Sequence, residues 1–175
     1  MDPLLIVKNN ENHTWKNEDA QSFNSLMIGY QECMPDVDKN FLEQRFYMNT
    51  HFLNSDFKNT PKYFIAFDDS TVKENGIVAI SALYVFPEYR NSKHGKMLIE
   101  QLKHLAQNNI ILQVAIHVEK EKDLRSFYKK MGFSTTGVAN KPDTLGISYI
   151  DYFWKITPIK LSFTKNGTKI EPVLV

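Results

Sequence analysis

Cysteine occurs once in this chain of 175 residues, as Cys33. An internal disulfide is therefore excluded, and no set of thiols stands at zinc-ligand spacing, so no metal site is expected. No apolar run approaches the roughly 20 residues needed to cross a bilayer. The opening Met1-Asp-Pro-Leu-Leu-Ile-Val lacks a basic segment and is too briefly apolar for a signal peptide. Neither sign of charge is in excess: Lys and Arg number 21 and Asp and Glu number 20, a net charge of +1. Such a balance gives no general attraction to nucleic acid or to an anionic membrane. Arginine is scarce as well, being confined to Arg45, Arg90 and Arg125. The preference for Lys and Asn reflects codon composition rather than chemistry. What remains is 42% hydrophobic and 23% charged residues. That is ordinary globular composition in a chain long enough for one core, and a cytoplasmic protein is expected.

The N-terminal part reads as strand, helix, helix. Leu4 to Val7 suits a short strand. Asn17 can cap a helix with Phe23, Met27, Tyr30 and Met34 on one face, ended by Pro35. Asp38 can cap a second helix, to which Phe41, Leu42, Phe46, Phe52 and Leu53 are assigned as its apolar residues. Most of these aromatics are expected in the core, with a few lining a pocket. Strands follow at Tyr63 to Phe67 and Ile77 to Phe86, a buried strand at Ile110 to Val118, and another at Ile147 to Ile156.

The most informative stretch is Val85-Phe-Pro-Glu-Tyr-Arg90-Asn-Ser-Lys93-His-Gly95-Lys-Met-Leu-Ile99. The strand ends at Pro87, passes a small basic turn, and becomes an amphipathic helix with Met97, Leu98, Leu102, Leu105 and Ala106 apolar. A helix start reached through such a turn aims unpaired N–H groups and the positive end of the helix dipole at one spot, which suits phosphate. Downstream, Leu124, Phe127, Tyr128 and Met131 recur at helical spacing, and Gly132 suits a helix stop.

Val85, Pro87, Arg90 and Gly95 resemble, in register, the acyl-CoA-binding signature of the GNAT acetyltransferase superfamily, Val-x-Pro-x-x-Arg/Gln-x-x-Gly-x-Gly/Ala. Lys93 stands where the first glycine of that pattern would be. A basic residue there is similar to the turn of bacteriophage-encoded GNAT-like proteins. Tyr128-Lys-Lys-Met-Gly-Phe133 resembles the family's second motif. The asparagine that usually opens that helix is absent; Glu121 stands near its place, and His117-Val-Glu-Lys120 with Asp123 is a loose version of the phage form. The resemblance covers roughly Tyr63 to Ile156.

It implies a mixed α/β fold whose mostly antiparallel sheet is flanked by about four helices. It also implies acetyl-CoA as cosubstrate and transfer of its acyl group to a primary amine. Phe86, Arg90, Asn91, Ser92, Lys93, His94, Gly95 and Lys96 would hold the coenzyme. Tyr128 would protonate the departing thiolate, its hydroxyl having a reference pKa of about 10. Family members often carry a glutamate on the strand entering the turn, but Ile77 to Phe86 contains no acid. His117 is the foremost candidate for the base, because histidine titrates near neutral pH. Asp123 and Glu121 follow, and deprotonation through water is the alternative.

Two expectations remain open. One is an active N-acetyltransferase; the other is an inactive GNAT-like module of a phage virion, suggested by Lys93, the missing strand acid and the C-terminal extension. Residues 1–157 would form the domain and residues 158–175 a β-hairpin extension of it. In that extension Ile159, Leu161 and Phe163 alternate before an Asn166-Gly167 turn. An isolated hairpin is marginal in water, so this one would pack on the domain, on a second copy in a homodimer, or on a virion partner. Only two strands stand between the second helix and the phosphate turn where the family has three, so either one has merged into the run after Gly76 or the sheet is one strand short.

Overall fold

The computed structural model describes the backbone of residues 5–8, 20–48, 51–54, 62–68, 72–105, 110–155, 159–164 and 167–172, and the side chains of residues 26–44, 62–68, 72, 74, 76–104 and 110–155. Leu4, Asn17, Ala106 and Asn166, and the side chains of Phe23 and of the hairpin, lie outside the described residues. The elements run β1 (Leu5–Lys8), α1 (Ala20–Cys33), α2 (Lys39–Met48), β2 (His51–Asn54), β3 (Tyr63–Asp68), α3 (Val72–Asn75) and β4 (Ile77–Val85). After the 3-10 turn Pro87–Tyr89 come α4 (His94–Leu105), β5 (Ile111–His117), α5 (Val118–Lys130), β6 (Ser134–Thr135), β7 (Tyr149–Lys155), β8 (Ile159–Thr164) and β9 (Gly167–Pro172).

The first seven strands form one sheet in the order β1-β2-β3-β4-β5-β7-β6. All neighbours are antiparallel except β4 and β5. The expected mixed, mostly antiparallel fold is thus observed. Neither explanation of a missing strand holds. Phe52 and Leu53, assigned above to the second helix, form β2, where they pair with Ala66 and Ile65. Two apolar residues after Met48 fit either a last helical turn or a short strand, and only the free edge of β3 decides between them. Asp38 caps α2 as expected, its Oδ1 accepting from the N–H groups of Asn40 and Phe41 at 2.9 and 3.3 Å.

Two cores lie on the two faces of the sheet. Leu26, Met27, Tyr30, Met34, Val37 and Leu42 from the α1–α2 side cover Phe64, Ala66, Ala82 and Tyr84. Leu98, Ile99 and Leu102 of α4, Tyr128 of α5 and Met131 just after it cover Ile65, Val78, Ile80, Leu112, Val114 and Ile116. Gly29 lets α1 lie directly on the rings of Tyr84 and Phe64, where a Cβ would collide with both. Along β4, Val78 and Ile80 face one core while Ala82 and Tyr84 face the other. Residues at even spacing share a face in a regular strand, so the parity must change between Ile80 and Ala82. It does: Ala82 pairs with Ala66 and Ile80 with the next residue, Phe67, which makes Ser81 the extra residue of a β-bulge.

The C-terminal extension is a two-stranded antiparallel hairpin, β8 with β9, in register from Ile159 opposite Pro172 to Thr164 opposite Gly167. It forms its own sheet.

Candidate active site

The bulge at Ser81 has a consequence for the neighbouring strand. β4 and β5 pair from Ile77 opposite Ile111 to Ile80 opposite Val114 and no further. Beyond that point β4 runs on to Val85 and β5 to His117. The two parallel strands therefore part in the middle of the sheet and open a cleft. Each strand ends in a junction to a helix, and these two junctions carry nearly all the residues singled out from the sequence.

At the β4–α4 junction, Tyr89 and Arg90 donate their N–H groups to Phe86 and Pro87 carbonyls, closing the short turn. Asn91 and Lys93 then take φ of 64° and 62°. Asparagine visits this left-handed region readily, whereas a lysine there is strained by its Cβ. The glycine of the family pattern is the residue that adopts it without strain, so Lys93 keeps the shape of the turn at a conformational cost. The Lys93 carbonyl accepts the first helical bond, from Met97 at 3.0 Å, which places Lys93 at the N-cap. A lysine side chain has no acceptor to cap with. The first turn of α4 holds no acidic residue, and the N–H groups of His94, Gly95 and Lys96 precede any intrahelical partner. This helix end is an open, uncompensated positive pole.

The side chains around it divide into anchors and free charges. Arg90 turns back onto the strand: its Nε donates to the Val85 carbonyl at 2.8 Å, its guanidinium lies 5.4 Å from the centre of the Tyr84 ring, and Nη2 is 3.9 Å from Glu32. His94 stacks on Tyr63 with ring centres 4.3 Å apart. Phe86 stands edge-on to Tyr84 at 5.0 Å. Gly95 approaches Phe127, where a Cβ would meet the ring at 3.4 Å, an ordinary van der Waals contact, so alanine fits there as well as glycine. Asn91, Ser92, Lys93 and Lys96 are exposed.

The β5–α5 junction is built the other way. His117, 3% exposed, is the N-cap of α5, and its Nδ1 accepts the Glu119 N–H at 3.1 Å. That bond makes Nδ1 the lone-pair nitrogen and leaves the proton of the neutral ring on Nε2. Glu119 and Glu121 occupy the first turn. Glu121 is buried and accepts from Arg125 Nε at 2.9 Å, Arg125 Nη2 at 2.7 Å and the Tyr152 hydroxyl at 2.5 Å. These bonds, Arg125 foremost, lower its pKa to about 2. Glu121 is thus a structural anion and too weak a base to take a proton from an amine. Asp123 is exposed. Leu124, expected on the buried face, is 38% exposed; the inward position at that end of the helix belongs to Glu121.

Helix α5 ends in a Schellman motif. Gly132, with φ of 89°, donates to Lys129, and Phe133 donates to Tyr128, both at 3.0 Å. The hydrophobic contact that accompanies the motif is the Tyr128–Phe133 ring pair at 5.3 Å. The Tyr-x-x-x-Gly-Phe pattern therefore has a folding reason in this chain. Tyr128 is 3% exposed, and burial raises the pKa of its hydroxyl above the usual value, so at neutral pH it is a proton donor. That hydroxyl lies within electrostatic reach of the Cys33 thiol. Cys33 Sγ in turn is 3.6 Å from the Leu83 carbonyl on the part of β4 that has left β5, and burial pushes this thiol up to about 12. Tyr128 thus belongs to the core on one face of the sheet, and Cys33 packs against the core on the other. Nothing in the sequence pattern pointed to Cys33 or Glu32, because they join the site only through the packing of α1.

Residues 28–155 match the family model described as an acetyltransferase (GNAT) domain. The chain belongs to the GNAT acetyltransferase family. Among curated proteins none matches it. Solved structures do. A GNAT-family acetyltransferase from Staphylococcus aureus Mu50 is 15% identical, with a TM-score of 0.58 over 89% of this chain and 100% of the other. An acyl-CoA N-acyltransferase from Pseudomonas aeruginosa is 16% identical, with a TM-score of 0.57 over 86% and 99%. An aminoglycoside 6'-N-acetyltransferase complexed with coenzyme A is 14% identical, with a TM-score of 0.58 over 88% and 98%. At these identities the likeness shows a shared fold. No helix among the described residues is long and apolar enough to cross a membrane.

Proposed function

We propose that this GNAT-family protein is an N-acetyltransferase that moves the acetyl group of acetyl-CoA to a primary amine. The observation that carries the reading is the parting of β4 from β5 beside an uncapped, acid-free helix start. The backbone of β4 beyond Ile80 has lost its β5 partner on that edge, so an extended, amide-bearing chain can lie along it. The pyrophosphate of the same molecule then meets the N–H groups of His94, Gly95 and Lys96, with the Lys93 and Lys96 ammonium groups adding charge. In this reading Arg90 acts mainly on shape, fastening the turn to Val85 and Glu32. The coenzyme-bound structure with which the fold is shared supports the assignment.

The chemistry follows from the groups at the cleft. The amine nitrogen attacks the thioester carbonyl, the new C–N bond forms, and the C–S bond breaks. Tyr128 gives its proton to the leaving thiolate, and the amine's proton passes to water, from which Tyr128 is reprotonated. Neither His117, whose acceptor nitrogen is held by Glu119, nor Glu121, whose pKa is too low, suits the role of base. Lys93 does not favour the inactive virion module, because it adopts the same left-handed turn that glycine would. The test is a calorimetric titration with acetyl-CoA followed by amine acetylation in wild type and Tyr128→Phe. Removing a transition-state proton donor should lower kcat by about 100-fold or more with little change in acetyl-CoA affinity. A Phe variant with full turnover leaves Tyr128 as the hydrophobic half of the helix cap alone.

A further inference from the structure

One cluster near the cleft has no part in the chemistry above. Asp36 in the α1–α2 turn, His117 at the end of β5 and Glu119 in the first turn of α5 bring their side-chain polar atoms within 4.8 Å of one another. The two carboxylates are exposed, while His117 is 3% exposed. Its Nε2 is enclosed and has no hydrogen-bond partner; Asp36 Oδ2 lies 3.4 Å away, in poor alignment for a bond. The Tyr149 ring stands edge-on to the imidazole at 5.9 Å, and its hydroxyl is likewise enclosed without a partner.

The protonation of the imidazole decides what can sit there. A metal ion would need the lone pair of Nε2, but Nδ1 already uses its own lone pair on the Glu119 N–H. Nε2 therefore carries the proton and donates. The cluster thus sets a buried N–H donor beside two exposed carboxylates, which is the complement of an ammonium group next to an oxygen. The reacting amine itself is poorly served by this surrounding, because two carboxylates favour its charged form and the charged form cannot attack a thioester.

Resting on the acyltransferase reading, we infer that Asp36, Glu119, His117 and Tyr149 hold a second, non-reacting ammonium group of the acceptor, with a hydroxyl beside it. The substrate class is a hydroxylated diamine or polyamine. Asp36 and Glu119 take the cation; His117 Nε2–H and the Tyr149 hydroxyl take the oxygen. In this scheme the cap that fixes His117 is also what fixes its donor, so one side chain serves both the helix and the ligand.

The experiment is calorimetry on the full chain saturated with coenzyme A, with propylamine, 1,3-diaminopropane and 1,3-diamino-2-propanol as probes. The diamine should bind about tenfold more tightly than the monoamine, and the hydroxyl should add about threefold. Asp36→Asn and Glu119→Gln should each remove most of the diamine advantage. Tyr149→Phe should remove the hydroxyl increment, and Glu100→Gln, an exposed α4 residue beside Lys103, should change nothing. Equal affinity for monoamine and diamine overturns the inference, as does a diamine preference that survives both carboxamide variants. One-to-one binding of Zn2+ that Asp36→Asn abolishes overturns it too, in favour of a metal centre. The same amine titrations without coenzyme A keep the readings apart. Loss of coenzyme binding alone removes the acyltransferase reading, and loss of the diamine preference alone removes this one.

Discussion

The two junctions at the centre of the sheet share one topology and have opposite electrostatics. Each follows a strand of the parallel pair, and each starts a helix at the edge of the cleft. At β4–α4 the residue before the helix is a lysine that cannot cap, and the first turn has no acid. At β5–α5 the preceding residue is a buried histidine that does cap, and the first turn holds Glu119 and Glu121. A helix N-terminus attracts anions through its free N–H groups and its dipole. When a side chain takes those donors and carboxylates offset the dipole, the same geometry becomes a structural joint that repels phosphate. The difference teaches that strand-turn-helix shape does not by itself define a phosphate site; the chemistry of the first four or five residues does.

Reversing charge at the open junction is the strongest way to break the contrast. Lys96→Glu puts an acid where α4 has none and should weaken acetyl-CoA binding about tenfold or more at low ionic strength, less at high salt. The matched change Glu119→Lys on α5 should leave coenzyme affinity nearly unchanged, since that end is already capped. Calorimetry at two salt concentrations checks both. Equal losses in the two variants would mean that the junctions are not distinct.

The closed junction can be opened through Glu121. Glu121→Gln removes the anion that Arg125 and Tyr152 share and should destabilise the fold by about 1–3 kcal/mol at neutral pH, read as a lower urea midpoint. The pH dependence has a definite sign. The folded pKa of about 2 lies below the ordinary value of 4.5, so the unfolded chain binds more protons between these values. The stabilisation is fully present above about pH 4.5 and is lost as pH falls towards about 2. The variant should lack this component of acid sensitivity, so wild type and variant should converge in stability at low pH.

The smallest effect sharpens the turn itself. Lys93→Gly relieves a left-handed lysine, a gain of order 1 kcal/mol that the greater freedom of glycine in the unfolded chain partly offsets. The net should be stabilising by a few tenths to about 1 kcal/mol, with a modest loss of coenzyme affinity from the missing charge. A destabilised variant would show that the lysine side chain contributes more to the folded turn than its backbone costs.

Much of this was readable from the chain, and unevenly so. The buried α1–α2 positions Met27, Tyr30, Met34 and Leu42, the strands at Tyr63, Ile77 and Ile110, and the helix stop at Gly132 follow from periodicity and caps that lie within a few residues of one another, whereas Phe41, expected inside, is 37% exposed. Phe52 and Leu53 were misplaced because four residues carry too little pattern to tell a helix turn from an edge strand. The bulge at Ser81 left no mark either: the run Ile77 to Phe86 is apolar almost throughout, and a change of parity is invisible where both faces are buried. Among the site residues, Arg90, Lys93 and Gly95 stood out by spacing, while their division into anchor, strained cap and contact residue did not. His117 and Glu121 looked like bases by residue type; in the proposed reading the hydrogen bonds they make give them other work.

Sequence alone determined which segments form the sheet's centre, where the two helices on that side start and stop, and that one of those starts is basic and small. Those are local properties, set by side-chain periodicity, by the need to satisfy helix-end groups, and by the conformations open to single residues. Tertiary structure alone decided that β4 leaves β5 at Ile80 and that Cys33 reaches the cleft from α1. It also decided that Asp36 stands beside a histidine 81 positions further along the chain. These are long-range outcomes, produced when a bulge turns a strand and two cores close on opposite faces, and no window of neighbouring residues contains the partners that make them.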